Sequence, residues 1–384
     1  MWDICFRRIR LIDPVQGLDE ITDLAIRGET IAGVGEYIEG QARLEISGEG
    51  LILTHGLADL HTHVGGRGFC PLAVPADDAG IYRSVTLLGD AGTAGESNFT
   101  GLLEAVRLSR TRIRHFLNIH PKGIAELPQN WSEPQDFAAF AERVEQYRDR
   151  ICGIKLLAVS SFVEHAGIAG LEKIKKLAMS LQLPLMVHIG TEPDGALPSC
   201  WEAFCDALPR MLDAGDILSH CYTGKPGGLI TPDRRFYAPL RQAAARGVVF
   251  DTAVALTHFL FSVARQGLDD GFLPTCVSTD LTLRNCQRIV CDLPLVMSRF
   301  LALGLPLSEI VRCVTERPYK ALGVECGILA PGWPATLSVL AVEEQPILFG
   351  EGKDSLAGAL RLVPFGAVLN GRFFQATKGE NVLI

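Results

Sequence analysis

The chain has 384 residues, 48% of them hydrophobic and 21% charged, and carries a formal net charge of −8. This composition supports a folded protein with room for one large domain and a smaller one, and excludes a disordered chain. The acidic balance argues against a general nucleic-acid or membrane-surface binder, which would present a basic patch.

The N-terminal stretch "MWDICFRRIRLID" has charges where a signal peptide needs an apolar segment. No run along the chain is long and apolar enough for a membrane span. Eleven scattered cysteines without C-x-x-C spacing read as reduced, mostly buried thiols, so a cytoplasmic protein is expected. Residues 1–55 read as short strands and turns. In "DLAIRGETIAGVG" the alternation is that of a half-buried strand pair broken at a glycine turn. The C-terminal segments "ATLSVLAV" and "GALRLVPFGAVLNGRFFQ" are similar, and "LNGR" carries the Asn-Gly hairpin signal. Residues 1–55 and 327–384 are therefore expected to form one small β domain from both chain ends.

Between them, residues 56–326 alternate apolar runs with amphipathic segments such as "DFAAFAERVEQYRDR" and "LEKIKKLAMSLQ". Strands are expected at 57–63, 84–92, 114–120, 151–159, 183–190, 215–221, 247–253 and 275–280. Repeating strand–helix units of roughly 30 residues imply parallel strands with right-handed crossovers, and eight of them fit a closed (β/α)8 TIM barrel. An open doubly wound sheet is the alternative fold. Its G-x-G-x-x-G fingerprint is absent, because "GDAGTAG" has the wrong spacing.

Barrel active sites lie at the C-terminal ends of the strands. His61 and His63 end the first expected strand, His120 the third, His188 the fifth, His220 the sixth and Asp280 the eighth, while Lys155 sits in the fourth. Each residue has an ordinary structural reading. A lone histidine is more often a satisfied, partly buried side chain than a ligand, and Asp280 could simply cap the next element. Lys155 is harder to place, since an unpaired lysine in a core strand must lose its charge or find a partner. It could pair with a carboxylate or serve as a Schiff-base nucleophile. Together, in this order on a barrel, the set points to a site.

The order HxH, Lys, His, His, Asp on strands 1, 4, 5, 6 and 8 resembles the amidohydrolase superfamily. "LADLHTHV", "DAGTAGESNF", "GIKLLAVSS", "LPLMVHIG", "GDILSHCYTGK" and "VSTDL" are similar to its deacetylase, dihydroorotase-like subgroup. "GILAPGWPATLSVL" resembles the flanking strands of that family's β-sandwich domain. The resemblance covers nearly the whole chain. It implies two divalent metal ions, with His61, His63 and Asp280 on one and His188 and His220 on the other. It also implies that carbon dioxide carboxylates Lys155 and that the carbamate bridges the two ions. Imidazole and carboxylate ligands suit zinc, with manganese, iron or cobalt as alternatives. The implied reaction is hydrolysis of an amide or ester by metal-activated water, with Asp280 as the base.

The implied substrates are small acylated molecules, N-acyl amino acids (D-forms in particular) or O-acetyl hydroxy acids. A carboxylate on such a substrate calls for a cation, and Arg67, Lys225 and Arg284 are candidates in loops after strand ends, with Tyr222 as a lining residue. Each also has an ordinary surface or packing role. Four departures from the subgroup pattern fall around the site: Val254 stands where strand 7 usually brings a histidine, "VGGRG" follows HTH, His120 ends strand 3, and His55 occupies a frequent proline position. The alternative activity is a dihydroorotase-like cyclic amidase, with Arg67 close after HxH. Two further alternatives are a catalytically inactive barrel acting as a binding protein and a lysine aldolase. No nucleic-acid or membrane partner is expected, and a homo-oligomer fits the family.

Overall fold

The computed structural model describes residues 1–132, 135–191, 197–287 and 290–377. Five strands open the chain: β1 (Trp2–Asp13), β2 (Leu18–Arg27), β3 (Thr30–Gly35), β4 (Ala42–Ser47) and β5 (Leu51–His55). β1 pairs antiparallel with β2, and parallel with β4 along its first half and with β5 near its end. Gly48 makes that handover possible. A β-carbon there would lie 2.3 Å from the Ile9 Cα, so no other residue fits.

Seven parallel strands follow: β6 (Leu57–Thr62), β7 (Val85–Gly95), β8 (Arg112–Asn118), β9 (Ile151–Leu157), β10 (Leu185–His188), β11 (Ile217–Ser219) and β12 (Val249–Asp251). They are hydrogen-bonded in chain order. Every residue of β6, β7 and β9 is buried, as expected of parallel strands covered on both faces. The helices at Phe137–Gln146 and Gly167–Ser180 lie where the amphipathic segments predict them. Asp136 starts the first by accepting the N–H groups of Ala138 and Ala139.

The eighth expected strand, 275–280, is an extended stave without a regular ladder. Isolated bridges hold it to β12 at Asp251–Cys276 and to β6 at Thr62–Leu281. The Asp280 N–H donates to the His61 carbonyl at 2.8 Å, which closes the ring. The ladder breaks for identifiable reasons. Ala253, Ala255 and Asp280 have positive φ. The Thr279 N–H donates to one Asp59 carboxylate oxygen at 3.1 Å, not to a neighbouring backbone, and its hydroxyl donates to the other at 2.6 Å.

β13 (Leu337–Glu351), β14 (Asp354–Leu369) and β15 (Arg372–Gln375) return to the first sheet. Its order is β15-β14-β13-β5-β1-β2-β3, with β4 also on β1. The β-sandwich domain expected from both chain ends is thus built on an eight-stranded, mostly antiparallel sheet. Asn370 and Gly371, with φ of +50° and +69°, make the hairpin that "LNGR" predicts. Phe6, Leu24, Leu53 and Val339 form this sheet's own core. Inside the barrel, Leu87, Met186, Ile217 and Tyr319 form a separate apolar plug. The polar strand ends therefore face each other above an apolar floor.

Candidate metal centre

Alternation along β6 puts His61 and His63 on the same side of the strand, with ring centroids 5.6 Å apart. The His61 Nδ1–H donates to Asp251 Oδ2 at 3.1 Å. Its Nε2 then faces inward, 3.1 Å from Lys155 Nζ and 3.5 Å from Asp280 Oδ1. The His63 Nδ1 lies 3.1 Å from the Thr93 hydroxyl, which itself donates to Asp90 Oδ1 at 2.5 Å. The Thr93 oxygen therefore accepts from His63, and His63 Nε2 faces Asp280 Oδ1 at 3.1 Å. His61, His63 and Asp280 form a trio whose ligand atoms lie within 4.8 Å of one another.

A second trio is formed by His188, His220 and His258. His188 ends β10, and its ring centroid is 4.2 Å from that of His220. His220 follows β11 with φ +64°, an unusual value for a non-glycine residue and one found where a site fixes the backbone. Its Nδ1–H donates to the Ala253 carbonyl at 2.8 Å. A carbonyl can only accept, so Nε2 holds the lone pair, and that buried atom has no hydrogen-bond partner among the described residues. An inward lone pair whose opposite ring nitrogen is tied to an acceptor is the arrangement of a metal-bound histidine. His61 and His220, with centroids 5.3 Å apart, bring the trios together.

Electrostatics agree with that fit. Burial, followed by neighbouring positive groups, holds His61, His188 and His220 well below the usual imidazole range, so all three are neutral lone-pair donors. Burial also pushes Lys155 down to about 8, against the opposing pull of Asp280, Asp251 and Asp90. Lys155 sits between Asn118 of β8 and Met186 of β10 in register. Gly92 makes room for its stem, since a β-carbon there would lie 2.7 Å from Lys155 Cβ and Cγ. The residues present suit two cations and an amine available for carboxylation.

The four expected substrate contacts fare differently. Lys225 Nζ lies 3.0 Å from His258 Nε2, beside the second trio. Arg67 and Arg284 are exposed on the loops after β6 and after the eighth stave. Tyr222 is a correction to the sequence reading. Its hydroxyl donates to the Phe272 carbonyl at 2.6 Å, and its ring packs near Phe259 and Phe300 in the outer layer. Strand alternation would put Tyr222 on the same side as His220, two residues earlier, but the positive φ of His220 (+64°) breaks that alternation and turns Tyr222 into the helix layer.

Sequence reasoning missed His258, Asp251 and the Thr93–Asp90 pair. His258 lies beyond the end of its strand, so strand-end placement does not find it. "FDTA" offered Asp251 and "GDAGT" offered Asp90 and Thr93, but their role is to orient ligands, which has no spacing signature. Val254 is buried in the barrel–helix core. His120 packs edge-on against Trp131 at 5.9 Å. His55 lies against Tyr319 at 4.9 Å and accepts the Gly327 N–H at 3.2 Å, a structural role.

No family model matches the chain. A deacetylase of Agrobacterium fabrum is 30% identical over 311 residues, covering 79% of this chain and 74% of that protein. The chain belongs to the amidohydrolase superfamily. This amidohydrolase is also 30% identical to a deacetylase of Brucella anthropi over 80% of its length (76% of the relative), and 28% identical to one of Enterococcus faecalis over 92% (95% of the relative). A solved dihydroorotase superposes with a TM-score of 0.86 at 26% identity, over 97% of this chain and 98% of that one. A D-aminoacylase at 17% identity shares the fold, with a TM-score of 0.65 over 100% and 99% of the two chains. The protein is a metal-dependent enzyme of this superfamily. Among its described residues no helix is long and apolar enough to cross a membrane.

Proposed function

We propose that this amidohydrolase is a binuclear deacetylase that releases the acyl group from N-acyl amino acids, D-forms in particular, or from O-acetyl hydroxy acids. The observation that carries the reading is Lys155, buried in β9 with Nζ 3.1 Å from His61 Nε2 and in electrostatic contact with His188 and His220. Burial between two imidazole trios favours the neutral amine over the cation, even with Asp280, Asp251 and Asp90 nearby. As a carbamate Lys155 would carry one negative charge shared over two oxygens and could serve as a metal ligand. His61, His63 and Asp280 would hold one ion, and His188 and His220 the other, with zinc suited to such ligands.

When bound, two divalent ions supply Lewis acidity that acidifies water and polarises an acyl carbonyl. The chain's own groups do the rest. Asp280 is the acid of the first trio, and its side chain is 13% exposed, open enough to meet solvent. It takes the proton from the attacking water and returns it to the leaving nitrogen or oxygen as the C–N or C–O bond breaks. Asp251 and Thr93 keep His61 and His63 in one tautomer throughout. Lys225, with Nζ 3.0 Å from His258 Nε2, would meet the substrate carboxylate. The deacetylase names of relatives near 30% identity support removal of an acetyl group.

The test is metal analysis of the purified protein followed by a screen of N-acetyl-D- and L-amino acids, O-acetyl hydroxy acids and cyclic imides. Two ions per chain and acetate release are expected. Asp280→Asn should lower turnover by roughly 10²–10⁴-fold with the metals retained. Hydrolysis of cyclic imides alone would replace this reading with the cyclic amidase, and a metal-free active protein would end it.

A further inference from the structure

At the opposite end of the barrel, where the strands begin, lies a cavity of about 640 Å³ lined by Arg107, Arg110, Arg112 and Arg150. The segment 107–114, "RLSRTRIR", holds four arginines in a chain of net charge −8. One of them, Arg114, has an ordinary role, donating to the carbonyls of Asp149 and Leu322 below the strands. The four that line the cavity are only partly neutralised. Arg107 pairs with Glu104 at the surface, and Arg150 pairs with Asp149 at 3.1 Å. Arg110 donates to the Tyr82 hydroxyl at 2.6 Å. The backbone of Arg112 pairs with Leu87 in the β7–β8 ladder, while its side chain makes no hydrogen bond or ion pair among the described residues.

One side of the wall is apolar, with Leu103, Val106, Ile113 and Tyr147, and Ser109, Thr111 and Asp149 complete the lining. Its inner end reaches His115, whose Nδ1 lies 3.3 Å from Asp90 Oδ2. The other Asp90 oxygen anchors Thr93 and, through it, His63. The cavity therefore backs onto the hydrogen-bonded chain that orients a candidate ligand.

We propose that this cavity binds a phosphorylated small molecule with an apolar or aromatic body. Its volume lies within the roughly 300–1,000 Å³ typical of small-molecule sites. Four guanidinium groups exceed what one carboxylate can answer. A phosphoryl group brings nearly two charges and three acceptor oxygens, which planar guanidinium forks bind in pairs. The apolar wall beside the arginines fits the body of such a ligand. The proposal does not depend on which acyl substrate the metal centre takes.

The test titrates the metal-loaded enzyme with phenyl phosphate, inorganic phosphate and benzoate by calorimetry at physiological salt. Wild type, Arg112→Glu and Arg150→Glu are compared. Expected is a saturable site that prefers phenyl phosphate over both other probes and weakens at least about tenfold in each variant. Turnover and melting temperature should stay at the wild-type level, and any phosphate binding that survives the substitutions belongs to the metals. Identical isotherms in all three proteins would overturn the site. Equal binding of benzoate and phenyl phosphate would overturn the phosphoryl assignment. A change of oligomeric state in the variants would make this face a subunit contact and overturn the small-molecule site.

Discussion

Asp251 Oδ2 lies 3.1 Å from His61 Nδ1, and this contact decides which nitrogen of His61 faces Lys155 and Asp280. The carboxylate is itself held by hydroxyl donors, Ser219 at 3.1 Å and Ser278. Burial pushes Asp251 up to about 6, so at neutral pH it is ionised and can only accept. Asp251→Asn should lower metal affinity or activity by about 10–100-fold while the fold persists. A chelator competition titration measures this, and an unchanged affinity would remove Asp251 from the site.

Gly92 and Lys155 form the second test. Gly92 has φ +84°, and an added β-carbon would meet Lys155 Cβ at 2.7 Å. Gly92→Ala should displace the lysine and lower kcat/KM by about 10²-fold. In the wild type, reconstitution of the metal-stripped enzyme should need both divalent metal and bicarbonate. In Gly92→Ala, bicarbonate should no longer add activity. Activity assays with and without bicarbonate distinguish the two.

Lys225 and His258 carry the prediction about the substrate. If Lys225 meets a carboxylate, Lys225→Met should raise KM for an N-acetyl amino acid by roughly 10–100-fold with little change in kcat. The methyl ester of the same substrate should show no such change. Equal effects on acid and ester would place Lys225 in a supporting role beside His258.

His55 makes a prediction about stability. The Gly327 N–H donates to His55 Nε2, so folding favours the neutral ring, and burial pushes its pKa from 6.5 down to about 4. Between those values the unfolded chain binds the proton and the native protein does not. Stability is therefore full above about pH 6.5 and falls as the pH drops towards 4, by about 3 kcal/mol from this residue. Denaturant titrations at pH 7 and pH 5 should give a smaller difference in His55→Phe than in the wild type. The same difference in both would assign the acid sensitivity elsewhere.

Much of the fold was legible because its signals are local. The apolar runs that became β6, β7 and β9 are strands buried on both faces, and such strands need no partner to be recognised. The Asn370-Gly371 hairpin is written in two residues. The eighth stave was legible as an apolar run but not as a broken ladder. Its irregularity depends on Asp59, 220 residues away, taking the backbone N–H of Thr279. Among the expected substrate contacts, Lys225 lies beside the trio of histidines, whereas Tyr222 turns outward, because the positive φ of His220, two residues before it, breaks the strand alternation.

The sequence by itself determined the kind of chemistry available. Strand ends carrying two histidines, a lysine, two more histidines and an aspartate limit what a parallel barrel can gather at its mouth. Tertiary structure alone decided which lone pairs point inward, because ring tautomers depend on acceptors such as Asp251 and the Ala253 carbonyl that approach from other strands. It also decided that His258 joins the second trio, and that Arg150 meets the arginines of the 107–112 segment in one cavity at the far end. Such placements arise from chain closure in three dimensions, and residue spacing carries no trace of them.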